Sequence, residues 1–144
     1  MQLTMTGEYA IRTMLHLASA NWEEVVEITE ISEHWQIPEN FLRKIVTKLS
    51  KAGLIETHRG TGGGIRLAKD AAGITLWDVI EAAEGEWFLN RCLIGPNFCS
   101  NSAWCEVHLV WQEAQAKLKE ILGRHSLADL AKKNIERQNA LAQL

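Results

Sequence analysis

Apolar residues along the chain recur mostly at helical spacing, interrupted once by a glycine-rich stretch between two short apolar runs. Over residues 6–20, Tyr9, Ala10, Thr13, Met14 and Leu17 form one stripe and Ile11, Leu15 and Ala18 a second, which predicts a helix buried on much of its circumference. An acidic linker with Trp22, Glu23 and Glu24 follows. Ile28, Ile31 and Trp35 are spaced for a second, short helix started by Glu27 or Thr29. Ile37-Pro38 ends it, because proline keeps the residue before it out of the helical region and tolerates the first turn of a new helix. The third helix is expected over residues 38–52. It turns Phe41, Leu42, Ile45, Val46 and Leu49 inward and Glu39, Asn40, Arg43, Lys44, Thr47 and Lys48 outward, with Gly53 placed as a C-terminal glycine cap.

Residues 54–58 and 65–67 read as two short strands around Arg59-Gly60-Thr61-Gly62-Gly63-Gly64. Beyond Gly73, ITLWDVIEAAEGE predicts a helix with Leu76, Val79, Ile80 and Ala83 inward. A long helix is expected over residues 103–122, where Trp104, Val107, Trp111, Ala114, Leu118 and Ile121 make the narrow stripe of a helix that pairs with another helix. A last helix starts near Ser126, which has Asp129 three residues on in capping-box fashion, and the tail from Glu136 is expected to fray. The fold class that follows is mainly α with a small β-wing: a winged helix-turn-helix domain over residues 1–84, a cysteine-bearing loop over 85–105, and a dimerisation helix and C-terminal helix over 106–144.

Charge sharpens this. The chain of 144 residues has a net charge of −3, yet residues 39–69 hold seven basic side chains against two acidic ones. That segment is +5 and the rest −8, so a basic island sits in an acidic protein, which is the electrostatic footprint of a polyanion-binding face. The island coincides with the third helix and the wing. A recognition helix presents its exposed face to the major groove of double-stranded DNA, which makes Arg43 the candidate base contact, with Asn40 and Thr47 a turn to either side. Lys44 and Lys48 are assigned to phosphates. Arg59, with Thr61 and Gly62 at the wing tip, is placed to enter the minor groove. The glycine cluster is no P-loop, since no Lys-Ser/Thr follows it and it opens a strand instead of a helix. His16 and His34 lie on or beside buried faces and are read as structural, and His58 as a surface wing residue.

The three cysteines lie within fourteen residues, in RCLIGPNFCSNSAWCEVH. Cys92, Cys99 and Cys105, with His108 three positions later, form a soft donor set suited to iron–sulfur chemistry or zinc. No C-x-x-C occurs, which counts against a zinc ribbon and a thioredoxin-type pair. The loop is polar and rich in turn residues, so its thiols are not core filler. Trp35, Trp77 and Trp111 fall in phase with apolar stripes, whereas Trp87 and Trp104 flank the loop and are placed to shield a bound cluster. No apolar run reaches the ~20 residues of a membrane span and the N-terminal residues lack a signal pattern, so no membrane partner and a cytoplasmic location are expected.

The opening MQLTMTGEYAIRTMLHLA, the segment IPENFLRKIVTKLSKAGLIETHRGTGGGIRLAKD, the following ITLWDVIEAAEG and the cysteine triplet before a long helix resemble the IscR/NsrR-type iron–sulfur winged-helix transcription regulators of bacteria, over about residues 1 to 130. The resemblance implies a homodimer with crossed long helices, reading a near-palindromic operator. It also implies an iron–sulfur cluster that alters DNA affinity. Cys92, Cys99 and Cys105 match the cluster cysteines, His108 the histidine that completes the site in IscR-like members, and Arg59 the wing arginine. Glu8 matches an acidic residue that ligates the partner subunit's cluster in NsrR-like members. Both candidate fourth ligands are present, so either completes the site. His108 is favoured, and with it [2Fe-2S] over [4Fe-4S], because nitrogen ligation recurs in [2Fe-2S] centres.

The expected function is thus a DNA-binding transcriptional regulator that senses redox state, nitric oxide or iron–sulfur status through a cysteine-ligated iron–sulfur cluster. The rivals keep DNA binding but make the cysteines a thiol switch or zinc site, or make the chain an iron–sulfur carrier, which leaves the basic helix and wing without a use. An enzyme is not expected: no His/Asp constellation accompanies the thiols.

Overall fold

The computed structural model describes residues 2–144. Helix α1 (Met5–Ser19) is the central post, with Ala10, Thr13, Met14 and Leu17 buried as its stripe requires. Helices α2 (Ile28–Trp35) and α3 (Glu39–Lys51) pack on each other and on α1 as the helix-turn-helix pair. Between them Gln36 takes a left-handed conformation at φ 54°, and Ser32 fastens the turn: its Oγ donates to Ile37 O at 2.6 Å and its carbonyl accepts from Ile37 N at 3.0 Å. Helix α3 ends in a Schellman motif, with Gly53 at φ 76° and Leu54 N donating to Leu49 O at 3.0 Å. Leu49 and Leu54 are both buried, so the cap also carries the apolar contact that accompanies this motif.

Strands β1 (Ile55–His58) and β2 (Gly64–Leu67) form the antiparallel wing, in register from Ile55 opposite Leu67 to His58 opposite Gly64. Val26, in the linker between α1 and α2, adds a bridge to β2 through two 2.8 Å hydrogen bonds with Ile65. Helix α4 (Leu76–Glu84) begins with a capping box, Thr75 Oγ1 accepting from Asp78 N and Asp78 Oδ2 from Thr75 N. Helix α6 (Leu127–Ala142) starts at the expected Ser126 cap, whose Oγ accepts from Asp129 N at 3.2 Å. The two caps lie side by side as a Thr75–Ser126 bridge, so α6 returns to pack on α1, with Leu127 in the main core and Ala131 also buried. The tail expected to fray from Glu136 is instead helical to Ala142, as its run of good helix formers permits, although it buries nothing.

Helix α5 (Glu106–Gly123) starts later than expected, because residues 101–104 form a separate turn and Cys105, extended at φ −84° and ψ 114°, breaks the helical path. Trp104 therefore lies outside the helix and is 71% exposed. No residue of α5 is buried. Trp111 and Leu118 are half-buried against their own chain, while Val107, Val110 and Ile121 stand 60%, 64% and 44% exposed. Lys117, two turns on from Val110 along the same edge, pairs with Glu120, and the lysine's hydrogen bond and charge hold the Glu120 carboxyl below its usual range. Among the described residues no helix is long and apolar enough to cross a membrane.

Candidate nucleic-acid interface and cysteine loop

The exposed face of α3 and the wing enclose an open cleft of about 700 Å³, lined by Arg43, Thr47, Thr57, His58, Arg59 and wing glycines, with Glu27 and Thr29 at the start of α2. Asn40, Arg43, Lys44 and Thr47 are all exposed. The Arg43 guanidinium is drawn along its own helix by Glu39 at 2.6 Å, and the Thr47 hydroxyl donates back to Arg43 O at 3.1 Å. In the wing, Arg66 is paired with Glu56 at 2.9 Å, which leaves Arg59 as the exposed cation at the tip beside Thr61 and Gly62. Gly60 and Gly62 have φ of 94° and 76°, and a side chain at Gly63 would lie 2.4 Å from His58 O, so the tight tip needs glycine. Lys48 departs from this face. Its Nζ donates to Ala83 O, at the end of α4, at 3.1 Å.

Behind the cleft, His16 ties α1 to α2. Its Nδ1 accepts from Trp35 Nε1 at 3.2 Å, so its Nε2 carries the hydrogen that faces Glu30 Oε1 at 3.1 Å. His34 rests edge-on against both aromatic rings of this cluster.

The cysteine loop is built from two 3-10 turns, Arg91–Leu93 and Pro96–Phe98, the first packed on both the second and α5. Cys92 lies in the first turn, Cys99 ends the second and Cys105 is the N-cap of α5. All three are free thiols and half-buried. His108 stands in the first turn of α5, with Nδ1 buried and without a hydrogen-bond partner. Gln115 of α5 clips the start of the loop as a neighbouring strand would, Oε1 accepting from Leu89 N at 2.8 Å and Nε2 donating to Trp87 O at 2.9 Å. Trp87 in turn lies across Trp77, ring centroids 6.5 Å apart.

Residues 3–133 match a family described as Rrf2, an iron-dependent transcriptional regulator. The chain belongs to the Rrf2 family. It is 34% identical over 134 residues to the HTH-type transcriptional regulator IscR of Vibrio campbellii, covering 93% of this chain and 79% of that one. It is 39% identical over 131 residues to the NsrR regulator of Geobacillus kaustophilus, covering 90% of this chain and 89% of that one. The solved structure of IscR from T. potens superposes with a TM-score of 0.78 at 27% identity, covering 96% of this chain and 91% of that one. These Rrf2-family relatives are transcriptional regulators, not enzymes.

The Rrf2-family chain's donor set fits an iron–sulfur cluster in kind: three unpaired thiols and an imidazole with an unpartnered buried nitrogen, on one loop. Among the described residues these donors are not gathered around one point as a bound metal would hold them. Glu8 stands apart on α1, paired with Arg12 at 3.6 Å. Neither the Gln115 clip nor the Lys48 tie was legible beforehand, because each joins residues at least 26 positions apart through a side chain that periodicity classes as solvent-facing.

Proposed function

We propose that this Rrf2-family regulator binds a near-palindromic operator as a homodimer and adjusts its DNA affinity to the state of an iron–sulfur cluster held by Cys92, Cys99 and Cys105. The observation that carries this reading is the loop itself: three free, half-buried thiols and the unpartnered His108 nitrogen, running directly into α5 through the Cys105 N-cap. Such a cluster, when bound, supplies iron that reacts with nitric oxide and with oxidants. The chain's own part is mechanical. Loop and α5 are continuous, Gln115 fastens the loop's other end to the same helix, and the exposed Val107, Val110 and Ile121 make that helix the natural seam between protomers. A change in the loop then alters the spacing of two recognition helices, for a coupling of roughly 1–3 kcal/mol. His108 is proposed as the fourth ligand and [2Fe-2S] as the cluster, since the imidazole lies on the same turn as Cys105 and lacks another partner.

The deciding experiment is iron and acid-labile sulfide content with visible absorption on anaerobically purified protein, before and after nitric oxide, alongside an operator titration. Cys105→Ala should abolish the absorption band, His108→Ala should shift it or hasten its decay, and Glu8→Ala should leave it nearly unchanged. Loss of the band in Glu8→Ala but not in His108→Ala would move the fourth ligand to the partner subunit's first helix. Protein free of iron but with signal-dependent thiol oxidation, or with bound zinc, would replace the cluster with a thiol switch or zinc site.

In the DNA interface, Arg43→Ala should weaken specific binding by roughly 1–3 kcal/mol and relax discrimination at one or two operator positions. Competition titrations against single-base operator variants read this directly. Equal losses on operator and random DNA would assign Arg43 to the phosphate backbone.

A further inference from the structure

We infer that Lys48 is a positioning residue that links the cysteine loop to the recognition helix, and not a phosphate contact. The inference rests on the sensing function proposed above. Its starting observation is the hydrogen bond from Lys48 Nζ to Ala83 O, at 3.1 Å.

The electrostatics favour this partner. Helices α3 and α4 converge at their C-terminal ends on a shallow groove that Lys48 and Lys51 share with Glu81 and Glu84. Each helix end carries unsatisfied carbonyls and the negative pole of its dipole, and two glutamates add to it. Helix α4 has no basic residue in its own last turn. Lys48 supplies that cation from α3. Around α3 it lies ~140° from Arg43 at 100° per residue, so the same helix presents Arg43 and Thr47 to the wing cleft and Lys48 to α4.

Ala83 is also the last buried residue before the sensor loop. Gly85, at φ 77°, ends α4, and Gln115 grips the chain again at Trp87 and Leu89. Next to Ala83, the Glu84 carboxylate caps the start of α1: Oε1 accepts from Thr4 N at 3.1 Å and Gly7 N at 3.2 Å, and from the Thr4 hydroxyl. A side chain at Gly7 would lie 2.5 Å from that oxygen, so Gly7 leaves room for the cap. The end of α4 is thus a junction where the loop meets α1, through Glu84, and α3, through Lys48. Movement of the loop root reaches the recognition helix by this second tie, within one protomer and independently of the dimer seam.

The test compares wild type, Lys48→Met, which keeps the aliphatic stem, and Lys48→Arg, which keeps a donor. Operator titrations at several salt concentrations are run on cluster-loaded and cluster-free protein. In Lys48→Met the salt slope should stay at the wild-type value, while the affinity ratio between the two states, about 5–150-fold for couplings of this kind, should shrink toward one. Lys48→Arg should restore it. A salt slope lowered by about one, with the ratio intact, would make Lys48 a phosphate contact and overturn the inference. Hydrogen exchange separates this outcome from failure of the cluster itself. If wild type holds no iron, its three cysteines are alkylated instead, and amide protection at the end of α3 is followed. The tie predicts that alkylation changes that protection in wild type and not in Lys48→Met; equal responses in the two proteins would overturn it.

Discussion

Val110→Asp is expected to leave the protein monomeric. Val110 is 64% exposed on α5, beside the exposed Val107 and Ile121, on a helix that buries none of its residues within its own chain. In a two-fold seam each substitution occurs twice, so two carboxylates would be taken from water with no partner. The penalty of several kcal/mol per buried ion translates into a dimer dissociation constant raised at least about 100-fold. Operator affinity should fall toward that of a single half-site. Sedimentation velocity across a concentration series measures the first effect and a DNA titration the second. Gln112→Ala, exposed and about 160° round the same helix from Val110, should change neither. A dimer that survives Val110→Asp would place the seam on another face.

Gly64→Ala should destabilise the fold by roughly 3 kcal/mol. Gly64 heads β2, and a Cβ there would lie 2.1 Å from Val26 O and 2.6 Å from Val26 C. Both are backbone atoms, so no side chain can swing aside. Relief requires parting Val26 from Ile65, which costs two hydrogen bonds at about 1 kcal/mol each and disturbs two buried side chains. A thermal melt should fall by on the order of 10 °C. Gly73→Ala is the control, since a methyl there meets nothing within 4 Å, and it should stay within about 0.5 kcal/mol of wild type. A Gly64→Ala protein that melts with wild type would mean that the Val26 bridge contributes nothing to stability.

The helices, the wing and the Ser126 cap could be read in advance because each follows from local chemistry: apolar spacing, a proline, a glycine at a left-handed C-cap, a serine three residues before an aspartate. The limits of that reading lie in particular residues. Trp104 carries the helical period of α5 but lies before its first turn, because Cys105 is extended at φ −84° and ψ 114° and breaks the helical path between them. Trp111 falls on the apolar stripe but is half-buried against its own chain, so Val110 and Val107 form the uncovered edge. The tail beyond Glu136 has no apolar stripe to bury and is helical all the same.

What the sequence alone determined is the class of molecule: a basic helix and glycine-tipped wing on an α-helical core, followed by a compact set of soft ligands. These depend on residue type and short-range spacing, which the chain carries in itself. What only the tertiary structure decided is which side chains of the cationic helix face which neighbour, and where the loop is anchored. Arg43 and Lys48 look alike as exposed cations on one helix, yet one opens onto the wing cleft and the other meets the end of α4. Glu84 reaches Thr4 and Gly7 across 77 or more positions, and Gln115 reaches Trp87 across 28. Periodicity says that such residues point away from their own helix's buried stripe; only the packing of one helix against another decides whether solvent, DNA or a neighbouring helix end lies there.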